Sequence, residues 1–281
     1  MKAVIPAAGL GTRFIPATKA QPKEMLPVYD KPVIQHVVEE AIKSGIDDIL
    51  IITGRNKRSI EDYFDKSYEL EYALQRAGKD RDLKKIRKIT NLADFCYVRQ
   101  KNLKGLGDAI RCAERHVGGE PFAVLLGDSI TKSPKPCTKH LIETFNRYQK
   151  PTISIMEVSS NNVCNYGIAD GDEISKNIYK INHLIEKPSV KKRQSNLAIT
   201  GRYILTEDIF DKIDQTKPGF NGEIQLTDAL SKLDELYGVK FEGRVFNIEN
   251  RLEWIKSSID YAMADDEFRS DLVNYMKTFV G

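Results

Sequence analysis

Residues that build metal clusters and redox centres are scarce in this chain. It has four cysteines and four histidines in 281 residues. Cys96, Cys112, Cys137 and Cys164 form no C-x-x-C pair, and His36, His116, His140 and His183 form no H-E-x-x-H motif or cysteine–histidine knuckle. A zinc site is not expected, and the cysteines read as reduced thiols rather than structural disulfides. Long apolar runs are also missing. Only Ala3, Val4 and Ile5 separate Lys2 from Pro6, too few for a signal-peptide core, so a cytoplasmic protein with no membrane partner is expected. Charge of one sign is lacking too: 43 basic against 40 acidic residues leave a net +3. That balance argues against a nucleic-acid partner and requires any positive site to be local. The P-loop pattern G-x-x-x-x-G-K-[ST] is absent.

What is present is an α/β alternation. The run Lys2–Pro6 reads as a central strand. "KPVIQHVVEEAIKSG" reads as a helix, with Pro32 at its start and Gly45 past its end. Val33, Ile34, Val37, Val38, Ala41 and Ile42 share one face of it, which makes His36 structural. "DILIIT" at Asp48–Thr53 follows as a β-branched strand. Strand, helix, strand implies a right-handed crossover and parallel pairing. Residues 59 to 88 read as charged, solvated helices and 94–98 as a strand. "GLGDAIRCAERHV" reads as a helix, and "PFAVLLGD" as a buried strand delivering Asp128. After Pro134 the pattern loosens. Strands are expected at "PTISIMEV", 166–170, 178–187, Leu197–Leu205 and 239–248, and helices at 207–213, 223–237 and 252–280. With no linker or repeat, this predicts one domain over 1–281 in a Rossmann-like three-layer α/β/α arrangement, with a mixed, mainly parallel central sheet.

The most informative stretch is "VIPAAGLGTRFIPATKAQPKEMLP", from position 4 to 27. An apolar strand entering a glycine loop suits phosphate, because small residues let backbone N–H groups approach anionic oxygens. A dinucleotide fingerprint would need a third glycine where Phe14 stands. It would also need an acid about 20 positions on, ending the second strand; that strand ends at Thr53–Gly54. Gly9 and Gly11 alone would serve any tight turn. Arg13, Lys19 and Lys23 add concentrated positive charge, and Pro16, Pro22 and Pro27 stiffen the segment that bears it. That combination suits a triphosphate attacked at its α-phosphorus.

Taken with later segments, "AAGLGTR…PKEMLP" resembles the signature of the sugar-1-phosphate nucleotidyltransferases, the nucleoside-diphosphate-sugar pyrophosphorylases. "RSIEDYFDKSYELE", "VRQKNLKGLGDAI", "YGIAD", "IEKP", "SNLAITGRY" and "GEIQLTDAL" are similar to segments of their bacterial-type UTP–glucose-1-phosphate branch, over nearly everything up to about residue 260. The resemblance implies a nucleotide-binding half at about 1–130, a sugar-phosphate-binding half at about 131–250 and C-terminal helices at about 251–281. It implies UTP and glucose 1-phosphate as small-molecule partners and Mg²⁺ as cofactor. Ala7, Ala8, Gly9 and Gly11 would lie against the nucleotide, with Gln100 and Gly105 at the uracil. Arg13 would meet the departing pyrophosphate and Lys23 the α-phosphate. Asp128 would bind the metal. Gly167 and Glu186 would hold glucose hydroxyls, and Lys187 would pair with the sugar phosphate. Arg13, Lys23, Asp128 and Lys187 make up the implied catalytic set. Relatives commonly carry a late-strand aspartate as a second metal contact; here Asn247 stands in its place.

Each role has a plainer competitor. Asp128 could cap a turn through its own backbone, Gln100 could be a solvated polar side chain, and Glu186 and Lys187 could be an exposed ion pair. Adjacent strand residues face opposite ways, so those two reach one ligand only if the strand bends near Pro188. Glu223 and Gln225 read as first-turn acid and helix cap and stay outside the core site. The reaction implied is attack by a glucose 1-phosphate oxygen on the α-phosphorus of UTP. Its attacking group is already ionised, so neither a general base nor a covalent intermediate is required. The alternatives are dTTP or another hexose phosphate, or a silent nucleotide-sugar sensor, with a dehydrogenase more remote. A homo-oligomer is the expected state; Ile259, Met263 and Phe268 in the last helices could pack internally or against a second subunit.

Overall fold

The computed structural model describes residues 1–192 and 194–280; Gly281, at the end of the expected C-terminal helices, lies outside them. Strand β1 (Lys2–Pro6) alternates Ala3 and Ile5 with Val4, and the two-residue period sends them to opposite faces. Ala3 and Ile5 join a core with Ile34, Val37 and Ala41 of helix Val33–Lys43 and Leu141 and Phe145 of helix Cys137–Tyr148. Val4 joins a second core with Ile110, Ile209 and Leu230, from helices Leu106–Arg111, Asp208–Asp214 and Leu226–Leu230. Strand β2 (Asp48–Thr53) divides the same way, with Ile49 and Ile51 on the first side and Leu50 and Ile52 on the second. A sheet apolar on both faces needs helices on both. Three α/β/α layers result.

The remaining sheet strands are β3 (Asp94–Arg99), β4 (Phe122–Leu125), β5 (Thr152–Glu157), β6 (Gly167–Ser175), β7 (Ile178–Glu186), β8 (Leu197–Leu205) and β9 (Tyr237–Lys240). Their order is β3-β2-β1-β4-β8-β5-β9-β7-β6, with a further β8–β6 pairing. The first four strands pair with one another only in parallel. Beyond β4, only β5–β9 is parallel, while β8–β4, β8–β5, β8–β6, β7–β9 and β7–β6 are antiparallel. The expected mainly parallel sheet therefore describes the first half alone, and the sheet as a whole is mixed. Chain connection explains the change: β6 and β7 are joined through Lys176 and Asn177 (φ 63), a hairpin too tight for parallel neighbours.

The register Pro6 to Ile52 and Thr53 to Arg99 aligns the carboxyl ends of β1, β2 and β3. The loops that follow them gather at one edge of the sheet, where open α/β sheets hold ligands. Asp128 does not end a strand as expected; β4 stops at Leu125 and a turn intervenes. The expected helix over 223–237 forms only at Leu226–Leu230, and the following chain feeds β9. The expected strand over 239–248 is broken at Gly243 (φ 152), where a Cβ would stand 2.6 Å from the Lys132 carbonyl oxygen. Its second part, Arg244–Asn247, pairs with Ser129–Lys132 instead, and the Ile248 amide donates to the Asp128 carbonyl at 2.8 Å. Helix Cys137–Tyr148 was not anticipated. Residues 59 to 88 are indeed helical, in three pieces: Arg58–Phe64, Tyr68–Arg76 and Asp80–Thr90.

Of two C-terminal helices, Arg251–Ala262 packs against the end of the glycine loop, while Asp266–Val280 sets Phe268 against Tyr29. Asn250 caps the first, accepting from the Glu253 amide at 3.0 Å. Trp254 packs edge-on against Phe14 and donates its indole N–H to the Pro27 carbonyl at 2.8 Å. His36 is buried against Val28 and Tyr261, with its pKa lowered mainly by that burial, as befits a structural residue. All four cysteines are free thiols. No helix among the described residues is long and apolar enough to cross a membrane.

Candidate active site

The loop leaving β1 opens a cleft of about 560 Å³ at the carboxyl edge of the sheet. Ala8, Gly9, Gly11 and Arg13 line one part of it, joined by Lys23, Glu24, Gln100, Gly105, Asp128, Glu223 and Glu249. The loop turns at Gly11, whose φ of 66° is left-handed, and Thr18 Oγ1 donates to its carbonyl at 2.7 Å. Ala7 stays behind in the core, its amide bonded to the Ile52 carbonyl at 2.8 Å, and does not line the cleft.

Electrostatics concentrate at Lys23. Its ammonium makes an ion pair with Asp128, and both side chains are largely buried. Burial alone would lower the Lys23 pKa, but Asp128, Glu24 and Glu249 outweigh it and hold the ammonium charged. Burial would likewise push the Asp128 carboxyl up; Lys23, with help from Arg202, keeps it below the usual carboxylate range. The next residue points the other way. Glu24 pairs with Lys57 at 2.7 Å, both buried, and so ties the turn Lys23–Met25 to the chain beyond β2. Arg13 pairs with Glu249 across the mouth of the cleft and stays largely exposed.

A second buried pair lies beneath Asp128. Arg202 is fully buried and meets Glu40 at 2.8 Å. The same guanidinium donates to the Ser129 carbonyl at 2.7 Å and the Leu126 carbonyl at 3.5 Å, so it grips the turn on both sides of Asp128. Glu40 also accepts from Thr138 Oγ1 at 2.7 Å. The sequence reading missed Glu24, Lys57, Glu40 and Arg202. It also set aside Glu223, which lines the cleft.

Near Gln100 the loop 101–105 folds onto the segment 223–224. The Ile224 amide donates to the Lys104 carbonyl at 2.7 Å, and the Gly107 amide to the Ile224 carbonyl at 2.9 Å. Gly105 has φ 103°, and a Cβ there would lie 2.7 Å from Glu223 Cβ. Gln100 itself is buried and donates through Nε2 to Asp108 Oδ2 at 2.6 Å and the Gly105 carbonyl at 3.2 Å.

Gly167, Glu186 and Lys187 form a separate cluster that does not line the 560 Å³ cleft. Gly167 and Glu186 are direct partners across β6 and β7, and Thr227 donates to Glu186 Oε2 at 2.6 Å. The bend required near Pro188 is present: Lys187 has φ 42°, and its ammonium lies 3.6 Å from Glu186 Oε1.

A family model described as nucleotidyl transferase matches residues 2–245. The chain belongs to that family. Among its relatives within the nucleotidyl transferases, UTP–glucose-1-phosphate uridylyltransferase 2 of Staphylococcus saprophyticus is 50% identical over 279 residues, 98% of this chain and 96% of that protein. The UTP–glucose-1-phosphate uridylyltransferase of Staphylococcus haemolyticus is 47% identical, covering 98% and 97%. The crystal structure of a UDP-glucose pyrophosphorylase complexed with UDP-glucose is similar at a TM-score of 0.85 and 44% identity, over 94% of this chain and 99% of that one. The UTP-bound UGPase from Acinetobacter baumannii gives 0.87 and 34%, over 98% of each. The likeness thus runs beyond residue 260 into the C-terminal helices, where motifs alone are indistinct.

No group of three or more histidine, cysteine, aspartate or glutamate side chains suited to a metal is gathered among the described residues. Asp128 is a largely buried carboxylate paired with Lys23, and Asn247, the partner of Ser129 across the small sheet, carries only a neutral amide on the neighbouring strand. That donor set fits an ion that takes most of its ligands from phosphate and water, as Mg²⁺ does.

Proposed function

We propose that the protein forms UDP-glucose and pyrophosphate from UTP and glucose 1-phosphate, in the cytoplasm. What carries this reading is one cleft lined both by the Lys23–Asp128 pair beneath the glycine loop and by the buried amide of Gln100. Supporting it are relatives named for that reaction and similar structures solved with UDP-glucose or UTP bound. Ala8, Gly9 and Gly11 would face the nucleotide, with Ala7 supporting them from behind, and Gln100 and Gly105 would meet the uracil. Gly167 and Glu186 would take the sugar hydroxyls and Lys187 its phosphate. The part up to about residue 130 would serve the nucleotide, and the part from about 131 to 250 the sugar phosphate.

An oxygen of glucose 1-phosphate forms a bond to the α-phosphorus while the bond to the β-phosphate breaks, and pyrophosphate leaves. Lys23, already charged, shifts from Asp128 toward the α-phosphate, and Arg13 follows the leaving group from the mouth of the cleft. No proton has to move. Asp128 would hold Mg²⁺, which supplies charge neutralisation at the phosphates when bound. The exposed Leu252, Ile255, Tyr275 and Phe279 of the C-terminal helices are proposed to bury themselves in a homo-oligomer. The test of the activity is pyrophosphate release across a panel of nucleoside triphosphates and sugar phosphates. Release with UTP plus glucose 1-phosphate is expected, and none with that pair would overturn the reading.

Gly105→Ala is expected to raise the KM for UTP by about tenfold or more. Its positive φ and the 2.7 Å approach to Glu223 would force the loop off the segment 223–224, at about 1–3 kcal/mol. Steady-state kinetics at saturating glucose 1-phosphate would show it.

A further inference from the structure

We propose that Asp108 sets the base specificity of the cleft by fixing which way round the Gln100 amide lies. The argument rests on the nucleotide-binding reading above. A glutamine amide offers two donors on nitrogen and an acceptor on oxygen, and either end can face a ligand if the group is free to turn. At Gln100 it is not free. The two groups it touches inside the protein, the Asp108 carboxylate at 2.6 Å and the Gly105 carbonyl at 3.2 Å, are both acceptors. Only Nε2 can satisfy them, so its two hydrogens are directed inward. Oε1 is the end left for the cleft that Gln100 lines.

A side chain with both a donor and an acceptor could have read either edge of a pyrimidine. Held this way, it presents an acceptor only. The ring N3–H of uracil or thymine is a donor and fits; cytosine carries a lone pair at N3 and meets oxygen against nitrogen. The cleft therefore selects an imide over an amidine edge, and a buried mismatch of that kind discriminates strongly because neither group can turn to water. Gln100 is 5% exposed, so the mismatch would be a buried one. Asp108 also stands in the first turn of helix Leu106–Arg111. A negative charge there supports the helix, but that role would affect every nucleotide alike.

The experiment measures kcat/KM for UTP and for CTP, each with glucose 1-phosphate, in the wild type and in Asp108→Asn and Asp108→Ala. Asparagine keeps the size of the side chain while offering an amide nitrogen or an oxygen, so only the longer 3.2 Å contact to the Gly105 carbonyl still favours Nε2 inward and the Gln100 amide is released to turn. The UTP-to-CTP ratio is expected to fall about tenfold or more in both variants. Equal losses for both nucleotides, with the ratio unchanged in the two single variants, would reduce Asp108 to a helix-supporting acid and overturn the proposal. A wild type inactive with UTP would instead overturn the reading of the cleft itself. Should turnover become too slow to measure, the shifts in melting temperature with each nucleotide supply the corresponding ratio of affinities.

Discussion

Lys23→Ala is expected to lower kcat by about two to three orders of magnitude while changing the KM for UTP several-fold at most. Removing one preorganised charge aimed at a developing anion typically has an effect of that size. Lys23 meets the conditions for it. It is carried on a turn tied down by the buried Glu24–Lys57 pair, and three nearby carboxylates keep it protonated despite its burial. Its partner Asp128 sits on a turn gripped from below by Arg202. In the free protein the ammonium is already neutralised by Asp128, so much of its electrostatic effect waits for the transferring phosphate. The check is steady-state kinetics with both substrates varied. An unaltered kcat would remove Lys23 from the catalytic set, and Lys23→Arg, which keeps the charge but changes its shape, is expected to recover only part of the rate.

The second large effect is on stability. Arg202→Met strips the partner from Glu40, a carboxylate enclosed by Arg202 and Thr138. Breaking a buried pair on one side is expected to cost about 3–5 kcal/mol, which for a chain of this size lowers Tm by about 10 °C. Joining it with Glu40→Leu removes both charges, and the double variant is expected to regain most of that Tm. Activity is not expected to return with it, because the carbonyls of Leu126 and Ser129 still lack the guanidinium that holds the Asp128 turn. A pH signature accompanies this. Burial would raise the Glu40 carboxyl, but Arg202 and its hydrogen bonds draw it below the usual range. An acid with a lowered folded pKa stabilises fully above its unfolded value, near 4.3, and loses that contribution as pH falls through the folded one. Asp128 has the same sign. Calorimetric melts between neutrality and pH 3 should show Tm falling on the acid side, with a shallower fall in Glu40→Gln.

The parts of the fold that could be read from sequence were those whose burial writes a local pattern. Lys2–Pro6, Asp48–Thr53 and Leu197–Leu205 were placed at their observed bounds, because strands buried on both faces are apolar runs with sharp ends. The span 223–237 misled because Leu226, Leu230 and Leu233 repeat at helical spacing, while Leu236 belongs to the approach to β9. Between 239 and 248, apolar residues flank a glycine turn, and periodicity does not record that the two arms join different sheets.

At the site, residues that line the cleft were visible through motif and resemblance, as with Arg13, Lys23 and Gln100. Residues that hold those in place were not. Glu40, Arg202, Glu24 and Lys57 are charges sunk in the core, and nothing about a charged residue in a string of letters says that its partner is 33 or 162 positions away. Gln100 was set at the uracil by resemblance; only its neighbours show that its amide donor is spent inside the protein.

The Arg13–Glu249 contact joins positions 236 apart, and the Trp254–Pro27 bond spans 227. During synthesis the first strands and their glycine loop leave the ribosome long before the helix that buttresses them. A nascent chain released before about residue 254 therefore carries the glycine loop without its brace. The cleft thus waits for chain made 236 positions after Arg13 before both of its walls are in place.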